Sequence, residues 1–370
     1  MPSPLPSRRG LPRPLRRVGI DCTLIRPDRL TGVERYALSL VTELAALAPE
    51  ELVLFTHPEA PPALTRLPVE QHPAPWKVRV PVDQAWLPWA AARARVTLLH
   101  TLAFPTPLLW RGRAAITVHD ATFWLHPDSV SAGMRVYYGP LFPQALARAS
   151  AVFTVSEASR VDLVRAAGLP AERVHVTPNG VDERFFEARA PEGPRAPYLL
   201  SVATLEPRKN LPALLDAFRL LRRQGRDLEL VLVGRQGWAQ SLPLGDLAPH
   251  VRLTGTLPDA ELPALYAGAA CLVLPSLYEG FGLPLVEAMA AGTPAVASAI
   301  PALREVGGDA ALYADPRDPA SFAGAIARVL DDRDAARARA ALGRERARGF
   351  TWRACAEKTL AVYRSILRRR

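Results

Sequence analysis

The sequence predicts an α/β protein built from two doubly wound domains that face each other across a cleft. Its 370 residues exceed what one hydrophobic core usually organises, so two domains are expected. Short β-rich apolar runs alternate with helical stretches, which is typical of a parallel sheet covered by helices. This alternation restarts once along the chain, so each domain is predicted to hold its own sheet.

Two series of short apolar runs predict the strands. The first series lies at 18–20, 52–55, 96–100, 115–119, 151–155 and 174–177. The second series lies at 198–203, 228–233, 251–254, 271–275 and 294–298. Segment 187–197, EARAPEGPRAP, lies between them, and its prolines, glycine and mixed charge are typical of a linker. We therefore predict a first domain at 18–188 and a second domain at 189–350.

The last predicted element is a helix at 351–370. Its apolar residues at 352, 356, 360, 363 and 367 recur with helical spacing and form one face. Because such a face must be covered, we expect this helix to return and pack on the first domain.

The positive charge of the chain is concentrated at its two ends. The net charge is +10, yet segments 1–17 and 344–370 carry an excess of arginine that leaves the rest of the chain close to neutral. A nucleic-acid binder is disfavoured, because neither a basic face in the folded body nor a recognised module occurs. Residues 1–17 are predicted to be a disordered, solubilising tail. Attraction of both ends to an anionic membrane is the alternative.

The cysteines and the apolar runs indicate in which cellular compartment the protein is expected. Cys22, Cys271 and Cys355 lie far apart and show no paired spacing, as expected in a reducing environment. No apolar run reaches about 18 residues, and the proline-rich start lacks the apolar core of a secretory signal. We therefore expect a cytoplasmic protein, with peripheral contact at the inner face of the cell membrane as the alternative.

Segment 274–298, LPSLYEGFGLPLVEAMAAGTPAVAS, carries the clearest chemical pattern. A strand precedes its loop and a helix follows. Gly280 and Gly282 would let the backbone approach a ligand, and the helix N-terminus attracts an anionic group. Glu279 in the loop and Glu287 in the helix can accept hydrogen bonds from sugar or ribose hydroxyls. A capping acid and an exposed helical glutamate are the alternative.

A second cluster, EPRKN at 206–210, follows the first strand of the second series. Arg208 and Lys209 stand just before a helix, where an arginine fork and a lysine point charge can meet a diphosphate. Such cations can stabilise a leaving diphosphate as a metal ion would. Surface charge at a helix start is the alternative.

Two further segments lie where the first domain is expected to bind ligands. Segment 31–36, TGVERY, follows the first strand and opens a helix, although a simple capped loop also explains it. His119 and Asp120 follow a strand at the carboxyl edge, where doubly wound proteins bind ligands. A structural histidine is the alternative at that place.

Several common nucleotide-binding motifs are absent from the sequence. No G-x-x-x-x-G-K-[ST] occurs, and 280–285 fails G-x-G-x-x-G at its last position, so a nucleotide hydrolase or an NAD enzyme is disfavoured. Segment 332–334 is formally a D-x-D, but it stands in an Ala/Arg-rich helical run. We interpret it as a solvated turn and predict neither a metal nor another cofactor.

Together these motifs resemble those of the retaining family 4 glycosyltransferases, which have the two-Rossmann GT-B fold. Segment 279–287 is similar to the E-x7-E signature of that family, and EPRKN is similar to its phosphate-binding motif. The resemblance implies that Glu287 holds the donor ribose and that Glu279 faces the donor sugar. Arg208 and Lys209 would meet the diphosphate.

The resemblance implies further site residues. Those on the donor side are Gly32, Val33, Asn210 and the backbone of Phe281, Gly282 and Leu283, while His119 would contact the sugar with Asp120 as its neighbour. Candidates for the acceptor or the cleft are Arg35, Tyr36, Asp120, Ser156, Asn179 and Gly180. For Asn179 and Gly180 an ordinary turn is an equal alternative.

The function implied is retaining transfer of a hexose from a nucleotide sugar to a glycan or lipid-linked acceptor. TGVERY and HDATFWLHPD look most like the mannosyltransferase-type members, which makes GDP-mannose the first donor hypothesis, with UDP- or ADP-sugars as alternatives. A nucleotide-sugar epimerase of the same fold is a second hypothesis. A non-catalytic protein that binds sugar nucleotides is a third.

Overall fold

The structure is a computed structural model of the chain, and it describes residues 17–26, 32–190, 196–235 and 242–368. The predicted tail, 1–17, lies outside these ranges apart from Arg17, which begins the first strand.

The first sheet is parallel, and its strand order is β3-β2-β1-β4-β5-β6-β7. Its strands are β1 (Arg17–Cys22), β2 (Leu52–Thr56), β3 (Glu70–Pro73), β4 (Val96–Thr101), β5 (Arg113–Thr117), β6 (Ala151–Thr154) and β7 (Val174–Val176). Every residue of β2 and β6 is buried, as expected where helices cover both faces of a sheet.

The second sheet is also parallel, in the order β10-β9-β8-β11-β12-β13. Its strands are β8 (Tyr198–Val202), β9 (Glu229–Val233), β10 (Val251–Gly255), β11 (Cys271–Leu274), β12 (Ala295–Ser298) and β13 (Leu312–Ala314). The sequence failed to predict β3 and β13. β3 is a polar edge strand, EQHP, and β13 has only three residues, so neither forms an apolar run.

Helices cover both sheets. The α-helices are α1 (Gly32–Leu47), α2 (Pro62–Thr65), α3 (Arg79–Pro81), α4 (Leu87–Arg93), α5 (Thr122–Leu125), α6 (Ala132–Tyr138), α7 (Leu141–Arg148), α8 (Glu157–Ala167), α9 (Glu183–Phe186), α10 (Leu211–Arg223), α11 (Leu262–Gly268), α12 (Leu283–Ala291), α13 (Pro301–Gly307), α14 (Pro319–Asp331), α15 (Arg333–Ala347) and α16 (Trp352–Arg368). Within the described ranges, none of them is long and apolar enough to cross a bilayer.

The last helix, α16, packs against α1 of the first domain. The five apolar positions predicted to form its inner face, 352, 356, 360, 363 and 367, are all buried. The Tyr363 hydroxyl also meets His100 Nδ1 of β4 at 2.5 Å. The chain thus crosses from the second domain back to the first.

The segment just before the predicted boundary at 188 already contacts the second domain. The ring of Phe185, in α9, packs edge-on against Tyr266 of α11, with 5.6 Å between the ring centroids. The part of the linker at 191–195 lies outside the described residues.

Both sheets reverse their strand order once, between β1 and β4 in the first and between β8 and β11 in the second. Ligands of doubly wound proteins bind in the crevice beyond the carboxyl ends of the strands at such a reversal. The loops after β8 and β11 contain EPRKN and Glu279 respectively, so the second sheet brings both predicted motifs to one crevice.

Candidate active site

The EPRKN loop is fixed to the loop that follows β11. Pro207–Lys209 form one 3-10 turn, and Asn210 has a left-handed backbone with φ of 54°. The Asn210 amide donates to the carbonyl oxygens of Pro275 at 3.0 Å and Pro316 at 2.7 Å. Both amide hydrogens are thereby used, so the structure places Asn210 as the anchor of this loop. The predicted contact of Asn210 with the nucleotide-sugar donor would therefore have to use its amide oxygen.

Glu279 lies buried at the centre of a charged cluster. Its Oε1 accepts from Lys209 Nζ at 2.6 Å and from the Ser276 hydroxyl at 2.7 Å, and its Oε2 accepts from Arg208 at 3.3 Å. Glu206 pairs with the Nε side of Arg208 at 2.5 Å. Burial by itself raises the pKa of the Glu279 carboxyl, but Lys209 and Arg208 outweigh it and lower that pKa to about 2. Glu279 is therefore a fixed anion.

Arg208 and Lys209 are fixed by hydrogen bonds to Glu279, but each keeps donor hydrogens for a ligand. Burial and the neighbouring Arg208 lower the pKa of the Lys209 ammonium, while Glu279 opposes that change. Lys209 has three donor hydrogens and gives one to Glu279, so further donors remain for an anion. The carboxylates orient the cations before any ligand arrives.

Glu287 lies buried in α12, and a residue of the first domain reaches it. Arg35, in α1, donates to Glu287 Oε1 at 2.8 Å and to Asp259 at 2.6 Å. The Tyr266 hydroxyl donates to Glu287 Oε2 at 2.7 Å. Burial raises the pKa of the Glu287 carboxyl, although Arg35 and Tyr266 oppose it. The sequence had grouped Arg35 with possible acceptor residues, whereas the structure places it on the predicted ribose carboxylate.

The N-terminus of α12 begins as predicted at Leu283. Gly282 precedes it with φ of 96°, a left-handed conformation that favours glycine. The Phe281 side chain is buried edge-on against Phe350, so only the backbone of Phe281 can face a ligand. A Cβ on Gly32 would lie 3.7 Å from the Leu283 side chain, so the α1 loop meets α12 across the cleft.

His119 follows β5 on the first-domain side of the cleft. Its Nε2 lies 3.0 Å from the carbonyl oxygen of Leu102, which can only accept, so Nε2 carries the proton and Nδ1 is left as an acceptor. Burial lowers the pKa of His119, although Asp120 opposes that change. His119 is thus neutral, and its Nδ1 can accept a hydrogen bond from a hydroxyl group.

Tyr36 packs against the His119 ring, and Asp120 adds a negative charge beside it. The Tyr36 ring stands edge-on to His119 at 4.6 Å, and its hydroxyl lies 3.2 Å from that of Thr117. Because Tyr36 is buried, it belongs to the core beneath His119 and not to the open cleft. Asp120 accepts from the Thr122 backbone N–H at 2.8 Å.

The Glu279 loop touches the first domain directly. A Cβ on Gly280 would lie 2.6 Å from the His119 carbonyl oxygen and 2.9 Å from Asp120 Cβ. The hydroxyls of Ser156 and Ser159 donate to the Gly280 carbonyl oxygen at 2.6 and 3.0 Å. The structure thereby brings His119 and Asp120 next to the Arg208–Lys209–Glu279 cluster. Ser156 thus forms a hydrogen bond that joins the two domains.

Asn179, Gly180 and Val33 each have a packing role in the structure. A Cβ on Gly180 would lie 2.1 Å from the backbone nitrogen of Trp352, so Gly180 allows the start of α16 to pack there. Asn179 is buried, and its Oδ1 has no hydrogen-bond partner among the described residues. Val33 packs against the apolar core.

Several residues that no sequence motif indicates also join the two domains. The Tyr278 hydroxyl accepts from the Ala121 N–H and donates to Asp162, both at 3.0 Å. Glu305, in α13, accepts from the backbone N–H groups of Glu157 and Ala158 at 2.8 Å and so caps α8 of the other domain. These partners lie more than 100 residues apart, and no local pattern marks them.

In the described part of the chain, no group of three or more His, Cys, Asp or Glu side chains is close enough to bind a metal ion. Asp332 of the D-x-D segment caps α15 through a hydrogen bond from the Ala335 N–H at 3.0 Å.

Comparisons with known proteins cover the whole fold. Residues 182–346 match the family described as Glycosyl transferases group 1, and residues 30–185 match Glycosyltransferase Family 4. The O-antigen chain mannosyltransferase B of Escherichia coli is 32% identical, over 91% of this chain and 97% of that protein.

Two solved structures have the same architecture. Sucrose-phosphate synthase from Thermosynechococcus elongatus superposes with a TM-score of 0.74 at 21% identity, over 95% of this chain and 99% of that one. Anabaena Alr3699/HepE in complex with UDP-glucose superposes with a TM-score of 0.71 at 18% identity, over 94% and 99%. The predicted fold, with two facing Rossmann-like domains, is confirmed.

Proposed function

This chain belongs to the family 4 glycosyltransferases, and we propose that it transfers mannose from GDP-mannose with retention of the anomeric configuration. It is a GT-B glycosyltransferase of glycan biosynthesis that uses a nucleotide-sugar donor. The proposal rests chiefly on the cluster of Arg208, Lys209 and Glu279, which holds two oriented cations at a helix-lined crevice.

The leaving diphosphate is assigned to Arg208, Lys209 and the N-terminus of α12. The cations retain donor hydrogens, and the helix contributes the positive end of its dipole. Fixed donors of this kind stabilise charge that develops as the bond to the sugar breaks. We further propose that no metal ion is required, because these groups supply the positive charge.

The donor ribose is assigned to Glu287. Arg35 and Tyr266 each donate one hydrogen bond to it, one on each carboxylate oxygen. A carboxylate has about four acceptor positions, so two hydroxyls can share it with these partners.

Retention is proposed because neither Glu279 nor His119, the two side chains assigned to the sugar, is suited to act as a nucleophile or a strong base. Both oxygens of Glu279 are engaged, and its pKa of about 2 makes it a weak base. His119 offers a single acceptor nitrogen to a sugar hydroxyl. The departing phosphate oxygen is then the group that receives the acceptor proton, on the same face of the sugar.

Mannose is suggested by the relatives, several of which are named mannosyltransferases. Guanine is proposed from the resemblance of TGVERY and HDATFWLHPD to the mannosyltransferase-type members. The acceptor is proposed to be a glycan or a lipid-linked glycan that binds the first domain, since the named relative acts on an O-antigen chain.

Thermal-shift titration across GDP-, UDP- and ADP-sugars tests the donor. A ligand at about 100 times its dissociation constant adds about 2.7 kcal/mol of stability, and GDP-mannose is expected to give the largest shift. Turnover should persist in EDTA. A larger shift with a UDP- or ADP-sugar would overturn the donor assignment. Conversion of the donor sugar without an acceptor would indicate an epimerase, and binding without turnover would indicate a non-catalytic protein.

A further inference from the structure

One helical stretch of the first domain is apolar on its outer side as well as on its inner side. α3, a π-helical turn at Val82–Trp86 and α4 follow one another without a break. The inner side packs into the core of the domain. Positions 81, 85, 89 and 92 are exposed, and they hold proline, alanine, tryptophan and alanine. The outer side of a surface helix ordinarily carries polar residues, so this stretch lacks the usual polar face.

Large apolar side chains on and beside this outer side are exposed. Between 48% and 63% of the residue surface is exposed in Trp76, Val78, Val80, Trp89 and Leu109. The Leu108 N–H donates to Gln84 Oε1 at 3.1 Å, so the loop that carries Leu109 lies against the helical stretch. We name these five exposed residues the Trp89 face. Exposed apolar groups of this size that lie together mark an interaction site.

The sequence around the Trp89 face is rich in basic residues. Segment 71–119 contains a single acidic residue, Asp83, which is buried and paired within the same segment. Its basic residues are Lys77, Arg79, Arg93, Arg95, Arg111 and Arg113. Glu59, from outside this segment, pairs with Lys77 at 2.5 Å. The surroundings of the face therefore carry an excess of positive charge.

Both ends of the chain join the fold close to the end of α4. Arg17, which begins β1, donates to the Ala94 carbonyl oxygen at 2.7 Å, and segment 1–17 carries five arginines and no acidic residue. Arg113, which begins β5, donates to the Ile366 carbonyl oxygen near the end of α16. Because β1, β4 and β5 are neighbours in the sheet, these basic segments meet at the edge where α4 ends.

We propose that the Trp89 face docks on an anionic phospholipid bilayer. Tryptophan favours the boundary between acyl chains and water, because its ring is apolar and its N–H is polar. The Arg93 guanidinium carbon lies 5.7 Å from the Trp89 ring centroid, so a cation stands where anionic headgroups would surround the ring. A second copy of the chain is a poorer partner, because the same face on both copies would bring two basic edges together.

A bilayer on this face would lie beside the first-domain wall of the cleft. Arg79, in the helical stretch, lies over the Phe104 ring at 3.9 Å from its centroid. Phe104 belongs to the loop after β4, and the Leu102 carbonyl oxygen of that loop accepts from His119. Docking would therefore favour acceptors that are anchored in lipid over free glycans. Docking itself depends neither on the donor nor on the mechanism of transfer, so it goes beyond the proposed function.

Vesicle flotation with the full chain tests the docking surface. The vesicles contain either POPC alone or equal parts of POPC and POPG. The unmodified chain should float with the mixed vesicles and stay unbound to POPC, since neutral headgroups do not attract the basic surroundings of the face. The double variant Trp76→Ser/Trp89→Ser should lower the partition coefficient on mixed vesicles at least about tenfold, because two indole groups no longer enter the interface.

A second double variant, Arg93→Gln/Arg111→Gln, tests the charge. It should lower the same partition coefficient about 25-fold, because each basic side chain near an anionic surface contributes about fivefold. Leu342→Ser and Arg337→Gln are the matched controls, since both residues are exposed on α15 of the second domain, and both variants should bind as the unmodified chain does. Thermal unfolding checks that every variant is folded.

Three results would overturn the proposal. The first is an unmodified chain that does not float with mixed vesicles, and the second is unchanged flotation of either double variant. The third is a dimer, seen by sedimentation, that Trp76→Ser/Trp89→Ser dissociates, because the face would then belong to a second copy. None of these measurements involves a nucleotide or turnover, so they are independent of the tests of the donor.

Discussion

Glu279 accepts hydrogen bonds on both oxygens from Lys209, Arg208 and Ser276. The sequence predicted that this carboxylate faces the donor sugar. In the structure, Glu279 also holds Arg208 and Lys209, the two cations that we assign to the diphosphate. We therefore expect its main contribution to be electrostatic positioning, although its contact with the sugar stays a prediction.

Glu279→Gln should separate catalysis from nucleotide binding. Loss of the carboxylate charge frees Arg208 and Lys209 from their fixed geometry, so kcat should fall about 100-fold. The same loss leaves two cations less compensated, so the affinity for GDP should not weaken. Steady-state kinetics and calorimetric titration with GDP measure the two quantities.

Glu345→Gln is the control for this change, because Glu345 is exposed and pairs with the exposed Arg348 just after α15. Equal losses in kcat and in GDP affinity in Glu279→Gln would contradict the positioning role.

Arg35 should set the pH dependence of nucleotide binding through Glu287. The folded pKa of Glu287 lies above its ordinary value because of burial, and Arg35 limits that rise. In Arg35→Ala the pKa should rise further, so the carboxylate protonates at higher pH and stops accepting from ribose. GDP affinity should fall about tenfold at neutral pH, and its acid-side loss should move to higher pH.

Calorimetric titrations with GDP between pH 5 and 8 measure this shift. Arg337→Ala is the matched control, since Arg337 is exposed and its partner is the exposed Asp334. An unchanged pH profile in Arg35→Ala would mean that Arg35 does not act on the ribose carboxylate.

At the scale of elements, the tip of the Glu279 loop depends on the small size of Gly280. Gly280→Ala would place a Cβ 2.6 Å from the His119 carbonyl oxygen, and backbone at that distance cannot yield by a rotamer change. The loop and the His119 segment should then separate, so kcat should fall at least tenfold while GDP, bound mainly by the second domain, keeps its affinity.

Small-angle X-ray scattering checks the separation directly, because a wider cleft increases the radius of gyration. The control is Gly324→Ala in α14, where an added Cβ meets nothing within 4 Å and alanine is the better helix former. Full activity in Gly280→Ala would show that the close approach is dispensable.

Elements with a local pattern could be predicted from the sequence, and those without one could not. The loops after β8 and β11 stand out because glycine, proline and charge interrupt apolar runs. β3 was missed because an edge strand needs no apolar alternation. The pairing of Arg35 with Glu287 spans 252 positions and depends on how the two domains meet. Glu305 was missed for the same reason, and Tyr266 was missed because its contact with Glu287, 21 positions away, depends on how α11 packs against α12.

At the scale of the whole molecule, several contacts hold the two domains together around the cleft. Arg35 reaches Glu287, Ser156 holds Gly280, and Glu305 caps α8. The last helix adds a covalent return to the first domain, where Tyr363 meets His100. The residues assigned to the donor nucleotide come mainly from the second domain, and His119 comes from the first. Transfer is therefore expected only when the domains are closed as they are here.

The anomeric configuration of the product formed from GDP-mannose tests the proposed mechanism. The donor bond is α, and a mechanism in which neither Glu279 nor His119 acts as a nucleophile and the departing phosphate receives the acceptor proton predicts an α-linked product. NMR of the anomeric proton and carbon during early turnover with a mannoside acceptor measures the configuration of the new linkage. An α-mannosyl product is the predicted result, and a β-mannosyl product would contradict the mechanism assigned to Arg208, Lys209 and Glu279.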